Sequence, residues 1–412
     1  MSGGADSMAL LSLALDIRGE VGRQGVEFHV ATVDHGLRTA SREEAAGVGR
    51  VARDCGLPHD ILSWTGAKPV SNLQEAARQA RYALLEAHAR RIGASRVVVA
   101  HHEDDQIETH LLARLRRAGD RGLAGMRARR ELGPGVALLR PFLDLPGAML
   151  RATGGARELP FVEDPSNRDE RFLRVRLRRE AAGFGRQERE RILAAMSEHG
   201  ARRDAADLRV ALALFHGELG MAARVDGYGA VRLAASRIAG LASDVRADLL
   251  ARVLTAVSGL EHAPERAALE RLPAVPVDVG PTAATLGGVR VENGDDVVFS
   301  REYGRRGPEA VDLTGSNGAV VFDRRFNVSL EREGPFGSTD GGGRLVAFGS
   351  LGLGNTRERT MPVLVDGAGR VLAVPDILAR KVPDAARLPL TSRVAARLAA
   401  DLPSPAAVGA TG

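Results

Sequence analysis

The chain has 412 residues, 44% of them hydrophobic and 26% charged, which is enough for two or three domains with separate cores. One cysteine, Cys55, excludes an intrachain disulfide and any cysteine-based zinc or iron–sulfur site within one chain, so a reducing cytoplasm is the expected compartment. Neither a signal-peptide pattern nor a run of about 18 apolar residues occurs, so no membrane partner is expected, and the net charge of +5 permits a polyanionic partner without requiring one.

The chain opens on Ser2-Gly3-Gly4-Ala5-Asp6-Ser7, which runs directly into the helical apolar spacing of Met8 to Leu15. Two adjacent glycines let backbone N–H groups approach an anion, and Ser2 and Ser7 add hydroxyls beside a helix N-terminus: a phosphate cradle. The segment lacks the Gly-Lys-Ser/Thr of a Walker loop and the three spaced glycines of a dinucleotide fold. Val26 to Val33 reads as a strand, Arg42 to Cys55 as a helix, and Asp60 to Trp64 as a short strand. Asn72 to Arg91 reads as a long helix and Arg96 to Ala100 as a β-branched strand ending in His101-His102. This alternation predicts a parallel sheet covered by helices, with the loops after Val33 and Ala100 gathered beside the Ser2 loop at the carboxyl ends of the strands.

On a helix starting after His102, Asp105, Glu108 and Thr109 share a face. Carboxylates clustered at a strand end can bind Mg²⁺ through water or hold a substrate ammonium, and acids at a helix start also serve as caps. Arg78 and Arg81 project together from the preceding helix as a fork suited to a carboxylate or phosphate. Nearly all of the 57 basic side chains are arginines, Lys68 and Lys381 being the only lysines. Arg114, Arg116, Arg117, Arg121, Arg127, Arg129 and Arg130 crowd one stretch; Arg171, Arg174, Arg176, Arg178 and Arg179 crowd another. Singly these are solvated helix charges; together they compose a phosphate-backbone surface.

Glu188 to Leu272 is helical in pattern and alanine-rich. Thr285 to Val291 and Val297 to Ser300 flank Asn293-Gly294, a hairpin signal, and from Gly318 to Pro375 short apolar runs alternate with glycine-rich turns. The expected organisation is an α/β catalytic domain over residues 1–187, a mostly helical substrate or linker domain over 188–312, a β-rich domain over 313–400, and a disordered tail over 401–412.

In order and spacing, the Ser2 to Ser7 loop, Asp34-His35-Gly36-Leu37-Arg38, His101-His102-x-x-Asp105-x-x-Glu108-Thr109, Gly122 to Met126, Arg140-Pro141 and Glu163-Asp164-Pro165-Ser166-Asn167 resemble the tRNA(Ile)-lysidine synthases of the PP-loop ATP pyrophosphatase superfamily. The likeness is dense over residues 2–178 and architectural beyond, where Leu286-Gly287-Gly288 falls in a helical-then-β order. It implies that ATP adenylates C2 of the wobble cytidine in a CAU anticodon, releasing pyrophosphate, and that the ε-amine of L-lysine then displaces AMP. It assigns Ser2, Gly3, Gly4, Ala5, Asp6, Ser7 and His101 to ATP, and Asp6 to Mg²⁺. Arg81, Asp105 and Glu108 are assigned to lysine, with Asp6, Arg81 and Asp105 catalytic. From the arginine clusters, Arg116, Arg174, Arg176 and Arg178 are expected to contact tRNA(Ile), together with the β-rich domain. The oligomeric state is open.

Three positions depart from the family pattern. Only Met1 precedes the cradle, where an apolar first strand is usual, so a sheet lacking that strand and a mobile Ser2 to Ser7 loop are expected. Arg117 stands where glycine is usual, and Arg151 to Arg157 carries glycines where a helix is expected. Competing readings are another PP-loop amidating ligase or a truncated, catalytically impaired RNA-binding protein; a sulfur-transferring tRNA thiolase is disfavoured by the lone Cys55.

Overall fold

The computed structural model describes residues 1–22, 25–37, 41–65, 68–69, 73–154, 159–162, 173–215, 223–260, 262–272, 283–313, 318–330 and 343–403. Arg38, Arg171, the Glu163 to Asn167 stretch and the tail after residue 403 lie outside the described residues. The chain divides into two compact units, Met1–Asp204 and Ala205–Gly412.

The first unit alternates helices and strands: α1 (Ala5–Gly22), β1 (Val30–Asp34), α2 (Ser41–Asp54), β2 (His59–Ser63), α3 (Leu73–Arg91), β3 (Arg96–Val98), α4 (Glu103–Leu115), α5 (Asp120–Leu123), β4 (Arg129–Gly133), β5 (Val136–Leu139), α6 (Gly147–Gly154), α7 (Leu173–Ala182) and the start of α8 (Arg186–Leu214). The first strand begins four residues later than its apolar run suggests, because Val26 is exposed and follows Gly25 in a left-handed conformation. β1 runs parallel to β2, with Val30 opposite His59 and Asp34 opposite Ser63. A second piece of sheet pairs β3 parallel to β5, with β4 antiparallel on the far side.

Among the described residues the parallel sheet falls into two pieces, β1-β2 and β3-β5-β4. Among the described residues, no strand pairs with the edge of β1 turned away from β2; the Met1 amino nitrogen donates to Ala31 O there. α3 packs against strands of both pieces. Met8, Leu11, Val30, Val48, Ala52 and Leu57 form one apolar core, and Ile107, Leu111, Leu112, Leu177, Ala181, Ile192 and Met196 join α4, α7 and α8 in another. The spacing 107, 111 along α4 and 177, 181 along α7 places each set on one helical face, and each buried aliphatic side chain contributes about 1.5–3 kcal/mol.

In the second unit, α9 (Ala235–Ala239), α10 (Ser243–Ser258) and α11 (Arg266–Glu270) follow the end of α8. The stretch read as helical in pattern also holds β6 (Arg224–Val225) and β7 (Val231–Ala234), where Val231 and Leu233 alternate inward with period two. The run expected as a single strand at 285–291 is likewise broken. Gly287 and Gly288, at φ +57° and +73°, make a two-residue turn between β8 (Ala283–Leu286) and β9 (Val289–Glu292), with Leu286 opposite Val289. β10 (Asp296–Arg301) completes a five-stranded sheet in the order β6-β7-β10-β9-β8.

The C-terminal strands are β11 (Val311–Asp312), β12 (Gly318–Phe322), β13 (Phe326–Leu330), β14 (Arg344–Ala347), β15 (Pro362–Val365), β16 (Val371–Val374), β17 (Ala386–Arg387) and β18 (Leu390–Ser392). They form the sheets β11-β14-β15-β16-β17 and β12-β13-β18. α12 (Val394–Ala399) returns to α10, and its Val394 and Leu398 are buried in the same core as Val253 and Leu254.

Arg117 sits at φ +51°, one residue past the C-cap of α4. Its N–H donates to Arg114 O at 3.0 Å and the next N–H, of Ala118, to Ala113 O at 2.9 Å, the paired bonds of a Schellman ending. A side chain in this left-handed conformation costs roughly 1–2 kcal/mol, part of which a glycine gives back as unfolded-state entropy. Arg117→Gly is therefore expected to raise thermal stability by up to about 1 kcal/mol; a lowered melting temperature would show that the Arg117 side chain contributes more than its backbone costs.

Candidate active site

The cradle is built by backbone geometry. Gly3 lies at φ +81°, where a β-carbon would also stand 3.1 Å from Val48 Cγ2, so both conformation and space select glycine. The first turn of α1 closes on Gly4 O, which accepts from Ser7 N and Met8 N at 3.0 Å and from Ser7 Oγ at 2.9 Å. Ser2 Oγ lies 3.4 Å from both Gly4 N and Ser7 Oγ, and Val162 N donates to Gly3 O at 2.9 Å. The loop is thus fastened from within and from residue 162.

Asp6 projects from the first turn of α1, its Oδ1 accepting from Arg151 Nη1 of α6 at 2.8 Å and its Oδ2 lying 3.5 Å from His102 Nε2. Burial alone would raise its pKa, but His102 and Arg151 outweigh burial and hold the carboxyl below its ordinary range. His102 caps α4: its Nδ1 accepts from Asp104 N at 3.2 Å, while its own N–H donates to Asp105 Oδ2 at 3.0 Å. The cap bond puts the neutral ring's proton on Nε2, which faces Asp6 and, at 3.7 Å, Asp105. A second proton, on Nδ1, would turn that nitrogen toward Asp104 Oδ2, 3.5 Å away. Burial disfavours the imidazolium, yet the carboxylates of Asp6, Asp105 and Asp104 raise the pKa above its usual value. Gly147 makes room for this cluster, because a β-carbon there would come within 2.7 Å of both His102 and Asp104.

Three arginines from later helices neutralise the remaining acids. Arg178 of α7 donates to Glu108 at 2.8 Å and lies 3.5 Å from Asp105; Arg174, one turn earlier, lies 3.4 Å from Glu108. Arg189 of α8 binds both Glu103 and Asp104. Glu108 is almost wholly buried, and burial, aided by Asp105, raises its pKa against the opposing pull of Arg178 and Arg174.

Beyond the His101-His102 step lies a cationic group. Arg140 is 3% exposed; its Nε donates to His101 Nδ1 at 3.2 Å and its Nη1 to Arg127 O at 2.8 Å. Arg78, Arg81 and Arg130 place their guanidinium carbons 5.2, 5.2 and 4.8 Å from the Tyr82 ring centre. Burial pushes the Tyr82 hydroxyl up, but Arg81, Arg78 and Arg140 bring it down to about 8. His101, buried among the same arginines, falls to about 3 and stays neutral. His35, at the end of β1, meets Trp64 edge-on at 6.1 Å, and burial with Arg81 lowers its pKa too.

Among the residues singled out from sequence, Asp105 and Glu108 come together, and Asp6 faces Asp105 across His102. His101 and Arg81 belong instead to the cationic group. Arg174 and Arg178 are paired with the site's acids, whereas Arg116 and Arg176 are exposed. Sequence reasoning gave no site role to His102, Arg130, Arg140 or Arg151 and did not single out Arg189 or Tyr82; the capping spacing His102-x-x-Asp105 is the signal that could have placed His102.

The Asp6–His102 pair has a defined pH window. Asp6, lowered from 3.8, contributes stability above that value and loses it as pH falls through its folded pKa; His102, raised from 6.5, contributes below 6.5 and loses it as pH rises through its folded pKa. His102→Asn keeps a capping acceptor without a titrating ring. The melting temperature of this variant is expected to fall less than that of the parent chain as pH rises from 6 to 8; parallel alkaline limbs would sink the ion-pair reading.

A family model described as a PP-loop domain matches residues 1–183. The chain is 42% identical over 306 residues to the tRNA(Ile)-lysidine synthase of Methylobacterium sp. (strain 4-46), covering 71% of this chain and 84% of that relative. Against the tRNA(Ile)-lysidine synthase of Ruegeria pomeroyi it is 37% identical over 360 residues, covering 86% and 79%. A solved structure, the U34-tRNA thiolase NcsA from Methanococcus maripaludis, aligns over 48% of this chain and 69% of its own at 12% identity and a TM-score of 0.40, too loose a likeness to bear on function. No helix among the described residues is long and apolar enough to cross a membrane. The ATP-using PP-loop domain and the extent of these matches establish that the chain belongs to the tRNA(Ile)-lysidine synthase family.

Proposed function

We propose that the chain ligates L-lysine to C2 of the wobble cytidine in the CAU anticodon of tRNA(Ile). ATP adenylates the C2 oxygen, pyrophosphate leaves, and the lysine ε-amine displaces AMP. The observation that carries this reading is the pairing of opposite charge fields across one strand end: Asp6, Asp105 and Glu108 on one side of His101-His102, and Arg78, Arg81 and Arg140 on the other. A zwitterionic amino acid and a polyphosphate together require both fields.

The cradle of Ser2 to Ser7 offers N–H and hydroxyl donors to the triphosphate, and Arg81 supplies a cation for phosphate or for the lysine carboxylate. Asp6 is 38% exposed and offers hard oxygen donors, which fits Mg²⁺ held by one or two carboxylates plus phosphate oxygens and water. Bound there, the ion would neutralise charge on the phosphates during adenylation. The ε-ammonium has to lose its proton before it attacks, and Glu108, its pKa raised by burial, is the acceptor. Arg116, at the C-cap of α4, and Arg176 of α7 are exposed, as a contact with tRNA phosphates requires.

With ATP, Mg²⁺ and labelled lysine, the chain should modify tRNA(Ile) bearing CAU and spare tRNA(Met), which shares those three letters. Equal labelling of both, or none of either, would overturn the assignment. Cys55→Ser should leave the rate unchanged, since no sulfur is transferred. Asp6→Ala should abolish adenylation.

Asp105→Asn preserves the cap to His102 N and removes only charge, so it should chiefly raise the lysine requirement, by roughly 10- to 100-fold for the loss of one charge-assisted contact. An unchanged lysine dependence would remove Asp105 from the amine site. Affinity for tRNA should fall steeply with salt, and less steeply in Arg116→Ala and Arg176→Ala; flat salt dependence would make these arginines simple solvated surface.

A further inference from the structure

A second cluster of ligating side chains lies at the opposite ends of the strands. His29 immediately precedes β1, and Asp60 is the second residue of β2, opposite Ala31. Side chains two apart on a strand share a face, so His29 and Asp60 stand together, and α3 brings His88 to them. Asp60 Oδ2 lies 3.6 Å from His29 Nδ1 and 3.8 Å from His88 Nε2, and the three ligand atoms fall within 4.8 Å of one another. The second Asp60 oxygen faces Arg91 Nη2 at 3.4 Å, which leaves Oδ2 to the two rings.

One atom here is unexplained by the protein alone. His88 is 6% exposed, and its Nε2 is buried with no hydrogen-bond partner. Donors held 2.0–2.1 Å from a tetrahedral zinc ion stand about 3.4 Å apart, so small side-chain movements would close these three around one ion.

We propose that His29, Asp60 and His88 form a site for a zinc-class divalent metal that ties β1, β2 and α3 together. Two imidazoles and one carboxylate select against Mg²⁺ and Ca²⁺, which prefer all-oxygen shells. The site lies at the amino ends of the parallel strands, away from the nucleotide cradle, and its role is structural: it clamps the two-stranded piece of the divided sheet to the helix that spans both pieces. Arg91 is the internal competitor. Its Nη2 lies 2.8 Å from His88 Nδ1, holding that nitrogen unprotonated, whereas metal at Nε2 requires the proton on Nδ1. Arg91 is 59% exposed and is free to swing away.

The test uses the full, untagged chain stripped of metal, titrated with Zn²⁺ against a chromophoric chelator and with Co²⁺ by absorption. A single equivalent of Zn²⁺ is expected at micromolar affinity or tighter, with a rise in melting temperature of several degrees at saturation, and without competition from millimolar Mg²⁺. His29→Gln, at a partly exposed position, should fold normally and weaken binding about 10- to 100-fold, as should His88→Gln. Arg91→Leu should tighten it, and His199→Gln, which removes a ring paired with Asp120 elsewhere, should leave it unchanged. Binding weaker than about 1 mM, equal affinity in His29→Gln, or loss in His199→Gln overturns the site.

Discussion

A buried carboxylate is tolerated only beside a counter-charge, and the arrangement of this active site follows from meeting that requirement at the start of α4. Five acids, Asp6, Glu103, Asp104, Asp105 and Glu108, converge there, and each has a cation or an imidazole within 4 Å. Apart from His102 itself, the cations come from α6, α7 and α8, far along the chain. Three later helices are thereby tied electrostatically to one helix N-terminus.

The same fastening reaches the phosphate loop. α1 is held by its packing along α6, by the Gly3–Val162 backbone bond, and by the Asp6–Arg151 and Asp6–His102 contacts. Asp6 and His102 belong both to the contacts that position the loop and to those that balance the carboxylates of α4, so disturbing that pair disturbs both.

The alternating pattern of the first unit was legible in the sequence because it rests on local chemistry. α2, β2 and α3 fall within a residue or two of their expected ends, and the Asp105, Glu108 face followed from helical spacing alone. What local chemistry could not supply was partnership. Nothing in the neighbourhood of Arg151 or Arg189 distinguishes them from dozens of other arginines, because their partners lie 85 or more positions away. Pairing at short range was missed for another reason: at Gly287-Gly288 the neighbouring Asn293-Gly294 signal dominated, and two strands were read as one.

The two adjacent histidines show how much a single position decides. His101 is buried among Arg78, Arg81 and Arg140, where an imidazolium would meet like charge; burial and these arginines lower its pKa to about 3 and leave it neutral near pH 7. His102, one residue on, turns toward three carboxylates and has its pKa raised. Identical side chains one step apart thus acquire opposite protonation behaviour from the fields they face. His101 can serve as a hydrogen-bond acceptor for Arg140 but not as an acid near neutral pH. On the acidic side His102 and Glu108 both have raised pKa values, His102 from its three carboxylate neighbours and Glu108 chiefly from burial.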